Sequence, residues 1–328
     1  EIYTLSLHDA LPIWSARMTL YIIRRVALAL VVLLFVSMLT FFLMNTVPGS
    51  PFMNEKAQSP EVIEALKAKF GLDKPKHIQF MNYIKNMLHW DFGVSLKMQK
   101  NRPVAEIIGE MFPTSAKIGV IALIIAVVIG IPLGSIAAYN RGNKLDSFLR
   151  IVTTLGISVP GFVVATVLLV IFSVKLKWLP AIGLKGWTSY LMPCFSMAFY
   201  PMCYIGRLSR ASMLDAINQD YVRTAVAKGV GSNKVLFKHA LRNAFIPVLT
   251  YLGPLTAGIL TGSLVVEYVF GIPGMGRYFV QSILNRDYPI IMATTILYAS
   301  LLIIMNLVVD ILYRFVDPRI DITKGAGA

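Results

Sequence analysis

Six apolar stretches, each near the roughly 20 residues needed to cross about 30 Å of hydrocarbon, alternate with polar connections along the chain. They predict spanning helices over Val26–Val47, Ser115–Tyr139, Ile151–Ser173, Tyr190–Ile205, Phe245–Val266 and Ile290–Tyr313, the fourth being the shortest. Two polar interruptions are long. In the first, residues 48–114, Ser59-Pro60 opens a helix, with Glu61 and Glu64 at its positive dipole end and Gly71 as its stop. An amphipathic run His77–His89 follows Pro75, and HWDFGVS at 89–95 reads as a turn. In the second, residues 207–243, Ser212 and Asp215 have capping-box spacing, which predicts a helix over Met213–Lys228 ended by Gly229. Gly231 and Ser232 allow a turn and a new N-cap, and Asn233–Arg242 forms a short second helix. On that helix Lys234, Lys238 and Arg242 recur as one basic stripe beside an apolar ridge of Val235, Leu236 and Phe237. Such a two-faced helix suits a partner's groove or an anionic lipid surface, and periodicity does not choose between them.

Composition narrows the class. Of 328 residues, 56% are hydrophobic and 15% charged, against about 25% charged in soluble domains, and mean hydropathy is +0.66. A soluble fold of this length could not hide that surface, so the chain reads as an integral membrane protein. The net charge of +14 is explained by position. Arg24 and Arg25, then Arg141, Lys144 and Arg150, then Arg207, Arg210, Arg223, Lys228, Lys234, Lys238 and Arg242, then Arg314 and Arg319 all fall on one side, which the charge bias makes cytoplasmic, with both termini inside. Lys175 and Lys177 fall outside, a mild exception. No soluble basic face interleaved with aromatics exists, so nucleic acid is excluded as a partner and the lipid membrane takes its place.

Chemistry-bearing constellations are scarce. Cys194 and Cys203 lack ligand spacing, and His8, His77, His89 and His239 pair with nothing at ligand spacing, so no metal site is predicted. GIPGMG at 271–276 lacks the order and strand context of a dinucleotide loop and is expected to be an external turn or a short re-entrant element. The chain has no GxxxxGK[ST] stretch, so it is not itself a P-loop ATPase and is read as non-catalytic. Neither does it show the intramembrane ionisable residues of an ion-coupled carrier, since Glu267 and Asp310 fall near span ends. An external energy source is therefore expected, with an ion-coupled carrier as the competing class. Pro132, Pro160, Pro193, Pro247 and Pro254 punctuate the spans, and Gly130–Gly134 and Gly258–Gly262 have the spacing of close helix packing.

A family resemblance then becomes specific. RTAVAKG at 223–229, HALRNA at 239–244 and Pro247 resemble the cytoplasmic loop of permease subunits of binding-protein-dependent ABC importers, in the peptide and nickel permease group. PGSPF at 48–52, GLDKP at 71–75, DFGVS at 91–95, GIPGMG, NRDYP at 285–289 and DPR at 317–319 fit the same group, over residues 18 to 322. The resemblance implies an all-α integral membrane fold: six transmembrane helices, a type I ABC importer permease (MetI-like) core with an external helical insertion after the first span.

The implied organisation is a non-native leader over 1–17, a first span over 18–47, the external segment 48–114, a five-helix core over 115–314 holding the coupling loop, and a cytoplasmic tail over 315–328. The implied partners are a second, homologous permease subunit, two ATP-binding subunits and an external solute-binding protein. No cofactor is expected in this chain, ATP and Mg being held by the partner subunits. The coupling loop maps onto Arg223, Thr224, Ala225, Ala227, Lys228 and Gly229, then Lys234, Val235, Leu236 and Lys238, then His239, Ala240, Leu241, Arg242, Asn243, Ala244 and Pro247. Val226 stands where the family is commonly basic, and Trp90 where it is commonly small. The implied cargo is a di- or oligopeptide, with nickel complexes and glutathione-like peptides as alternatives, and the implied location is a bacterial or archaeal cytoplasmic membrane.

Overall fold

Residues 7–46, 64, 65, 68, 70–231, 235 and 240–316 are described by the structure, a computed structural model. Among them the architecture is all-helical, with a single isolated antiparallel bridge between Val94 and Pro103. In chain order the helices are α1 (Leu7–Thr46), α2 (Lys76–Met87), α3 (Val104–Tyr139), α4 (Lys144–Ser158), α5 (Gly161–Leu168), α6 (Leu191–Ile217), α7 (Asp220–Ala227), α8 (Leu241–Leu260), α9 (Leu264–Val269), α10 (Met275–Asn285) and α11 (Tyr288–Val316).

Among the described residues, four segments are long and apolar enough to cross a membrane: Ile23–Thr46, Val104–Tyr139, Ala244–Val269 and Tyr288–Leu312. The third predicted span is not one straight helix. It bends by 102° between α4 and α5, and counts as a fifth crossing only if the pair is one span. The break falls at Val159-Pro160: Pro160 has no N–H to give, and Val159 takes the extended conformation (ψ 122°) that a following proline favours. The fourth predicted span lies in α6, which is not apolar enough to qualify by itself. About half of its residues are buried, so α6 meets protein more than lipid and can carry serines, tyrosines and arginines.

The α3–α6 pair is the centre of the fold. Gly130 and Gly134 sit one turn apart on α3, and α6 lies so close that a Cβ on Gly134 would land on the Gly206 carbonyl and one on Gly130 on that of Met202. The predicted role of this glycine pair is met. That of Gly258–Gly262 is not: Gly258 faces open space, and Gly262 (φ +89°) turns the chain between α8 and α9. Arg25 and Asp310 pair at 2.6 Å, fastening α1 to α11.

Outside the spans, α2 lays Phe80 against Phe41 of α1 and Met292 and Ile296 of α11. The amphipathic run thus packs on the spans. The helix predicted after Ser59 begins outside the described residues, while Gly71 (φ +66°) does mark a turn. DFGVS and NRDYP, far apart in sequence, meet in space. Asp287, fully buried, accepts hydrogen bonds from the Ser95 hydroxyl (2.6 Å) and from the backbone N–H groups of Leu96, Lys97 and Met98 (3.0–3.1 Å). GIPGMG is a turn, as predicted, and Glu267 organises it. Its carboxylate accepts from the Ser115 hydroxyl (2.7 Å) and the Arg277 N–H (2.7 Å), and the Ser115 oxygen in turn accepts from the Met275 N–H (2.7 Å).

Candidate functional site

The polar interruption 207–243 does not begin a new helix at Ser212. Instead α6 runs through Ser212 to Ile217, because Ile205, Ser209, Met213 and Ala216 continue one buried stripe at three- and four-residue spacing. Ser212 and Asp215 therefore lie inside a helix, and the capping box is not formed. The break comes later, at Asn218-Gln219, and the extended Gln219 (ψ 151°) starts α7.

Gly229 does stop α7. It takes φ +78°, its N–H bonds the Val226 carbonyl (2.9 Å), and the Val230 N–H bonds the Ala225 carbonyl (3.1 Å). This pair of bonds is the Schellman arrangement, and Val230 packs back on the cluster that holds Ala225, as the motif requires.

The eight residues of α7 are two-faced. Val222 and Ala225 point inward and join Ala138 of α3, Met213 and Ala216 of α6, Val235, Ala240, and Ala244 of α8 in one buried cluster. Arg223, Thr224, Val226, Ala227 and Lys228 point outward. Val226, 58% exposed, stands between the exposed Arg223 and Lys228 as an apolar spot on a basic face. Arg223 approaches only the fully exposed Asp220, at 3.8 Å, an exposed pair of little energetic consequence.

Of the residues assigned to a coupling role, the structure brings Ala225, Val235, Ala240 and Ala244 together inside the cluster and leaves Arg223, Thr224, Ala227, Lys228 and Gly229 at the surface. Val235, read from the sequence as part of an apolar ridge suited to a partner's groove or a lipid surface, is only 7% exposed and faces its own chain, because Met213, Val222 and Ala225 offer it an apolar seat. Lys234, Leu236, Lys238 and His239 lie outside the described residues, Arg242 and Asn243 sit in the first turn of α8, and Pro247 lies within that helix.

A supporting ion pair escaped the sequence reading. Asp146, at the start of α4 and 1% exposed, accepts two bonds from the Arg210 guanidinium (2.6 and 2.8 Å) and one from the Gly142 N–H (3.1 Å). It locks the turn after α3 to α6, immediately above the cluster. Nothing in the spacing of Asp146 and Arg210 announces it.

Comparison with known proteins decides the family. Residues 130–322 match the family described as binding-protein-dependent transport system inner membrane component, and residues 18–119 match its N-terminal counterpart. The chain belongs to this family. Among similar members are the dipeptide transport system permease protein DppB of Bacillus subtilis, 45% identical over 94% of this chain and 99% of the relative, and the oligopeptide transport system permease protein OppB of Haemophilus influenzae, 43% identical over 92% and 98%. The dipeptide permease DppB of Lactococcus lactis is 41% identical over 92% and 99%. In a permease family of this kind the coarse assignment follows directly: a helical, membrane-embedded component of a transport system that works with a binding protein.

Proposed function

We propose that the chain is a transmembrane subunit of an ATP-driven importer of di- and oligopeptides, coupled to separate ATP-hydrolysing subunits through α7 and the segment after it. The observation that carries this reading is near-full-length similarity, above 40%, to permeases named for dipeptides and oligopeptides. The geometry of α7 supports the coupling role. Its outer face is basic with an exposed valine at the middle, while its inner face is fused to the ends of α3, α6 and α8. A push on α7 therefore moves three helices, since Val222 and Ala225 cannot shift without Met213, Ala138 and Ala244.

In this reading a second, homologous permease completes the pathway, two ATP-binding subunits hold ATP and Mg on the cytoplasmic side, and an external solute-binding protein delivers the cargo. The permease itself is non-catalytic, lies in the cytoplasmic membrane and has both termini inside. ATP binding closes the ATPase pair, α7 follows, and the pathway opens outward.

Reconstituted vesicles test it. Peptide uptake is expected only with ATP, both ATP-binding subunits and the binding protein. Cysteine at Val226 is expected to cross-link to an ATP-binding subunit. The double reversal Arg223→Glu/Lys228→Glu is expected to cut uptake at least about tenfold while leaving thermal stability intact, because both side chains are exposed. Val235→Asp is expected to do the reverse and lower stability first. Uptake by the permease without any ATP-binding subunit would overturn the proposal.

A further inference from the structure

Among the described residues, Lys117 is the one charged side chain lining a cavity of about 490 Å³ bounded by α3, the 184–190 connection and the start of α6. It falls inside the second predicted span, where no ionisable residue was expected to matter. Its ammonium stands 4.6 Å from the centre of the Tyr190 ring, and among the described residues it makes no ion pair. Trp187 flanks the same opening and is largely exposed. Below the lysine, Ile121 and Ile125 follow on successive turns of α3 and face Leu191 and the buried Cys194 of α6.

The cavity is thus a slot with a cation and two aromatic rings at one end and an apolar floor. From Lys117 to Ile125 the helix rises about 12 Å, the length of about three extended residues. Lys117 stands about 33 Å from the inner end of α3 at Tyr139, which sets the charged end at the outer edge of the hydrocarbon. An unpaired ammonium held at that depth, beside a π face and above an apolar trough, is arranged to receive an anionic group attached to a short, partly apolar chain.

We propose that Lys117, with Tyr190 and Trp187, forms an outer-mouth subsite that takes the C-terminal carboxylate of an incoming short peptide, its side chains lying along Ile121 and Ile125. The proposal rests on the transport reading above and adds to it a cargo contact that discriminates by the peptide terminus. A lipid headgroup phosphate offers the same anionic chemistry. The slot favours the peptide because the apolar floor runs inward for a chain of a few residues.

The test uses the full importer in proteoliposomes, with peptide-loaded binding protein at saturation, and compares tri-alanine with tri-alanine amide. For each peptide the ratio of variant to wild-type uptake is read, which removes any preference of the binding protein. Lys117→Met is expected to lower tri-alanine uptake about tenfold or more, the size of a lost charge-assisted bond, and amide uptake less than about twofold. Lys117→Arg is expected to restore tri-alanine uptake to within about threefold of wild type. Co-purification of both variants with the ATP-binding subunits shows that they assemble. Equal losses for both peptides, or no loss for either, would overturn the subsite. So would a deficit that appears only in vesicles containing phosphatidylglycerol and ignores the peptide terminus, because the lysine would then serve lipid. Wild-type uptake of neither peptide would instead sink the transport reading itself.

Discussion

Asp146 illustrates what one residue can hold. A carboxylate removed from water is tolerable only when its lone pairs are taken up, and here Arg210 supplies two donors and Gly142 a third. Replacing Asp146 by Ala leaves Arg210 half-buried without its counter-charge and is expected to cost about 3 kcal/mol. Thermal unfolding in detergent checks this. The double variant Asp146→Ala/Arg210→Ala should lose less than the sum of the singles by about 1 kcal/mol or more, which a double-mutant cycle reads directly. Glu267 works in the same way on the opposite side of the molecule, where Gly274 and Gly276 keep room for its carboxylate and for the turn around it. Val226 is a residue of the other kind. It holds nothing in place, and its exposure gives the outer face of α7 an apolar centre.

At the scale of elements, α3 and α6 are joined by absence of side chain. Two glycines on α3 let the backbone of α6 approach, and packing replaces the hydrophobic force that is missing between helices in lipid. Gly134→Leu must drive the helices apart and is expected to destabilise by about 3 kcal/mol or more, seen as a lower unfolding midpoint. Gly258→Leu, where the space is open, is expected to be neutral or to gain up to about 1 kcal/mol from helix propensity. The two glycine pairs share one spacing, and the sequence could not separate them. What separates them is the neighbour: α6 lies on Gly130 and Gly134, while among the described residues nothing comes within 4 Å of a Cβ placed on Gly258. The same lesson applies to α6 and α7. The Ser212–Asp215 cap signal was local and weak, and the buried stripe through Met213 and Ala216 overrode it. Pro160 acted the other way, breaking a continuous apolar run that hydropathy reads as one span.

Taken as a whole, the molecule has two fastened ends. On one, Asp146 and Arg210 and the cluster around Met213 unite α3, α6, α7 and α8 beneath the basic face. On the other, Glu267 and Asp287 gather the GIPGMG, DFGVS and NRDYP motifs into one plate over α3 and α11. Glu267→Ala would strand the Ser115 hydroxyl and the Arg277 N–H, each worth about 1–3 kcal/mol when buried and unpaired. Hydrogen exchange is expected to quicken across 264–285 and to leave 205–231 unchanged; Glu267→Gln, which keeps an acceptor, should show a smaller effect. Quickening at both ends would mean that they are one unit rather than two.

The helical membrane class, the position of most helices, the stop at Gly229, the turn at GIPGMG and the family itself were all determined by sequence alone. Each rests on hydropathy, local backbone chemistry or short motifs, which need no knowledge of distant neighbours. Which face of α7 looks inward, which glycines touch a partner helix, which carboxylate meets Arg210 and where Lys117 opens onto a cavity were decided by tertiary structure. These depend on residues tens to hundreds of positions apart arriving at one place, and a one-dimensional pattern carries no record of that distance.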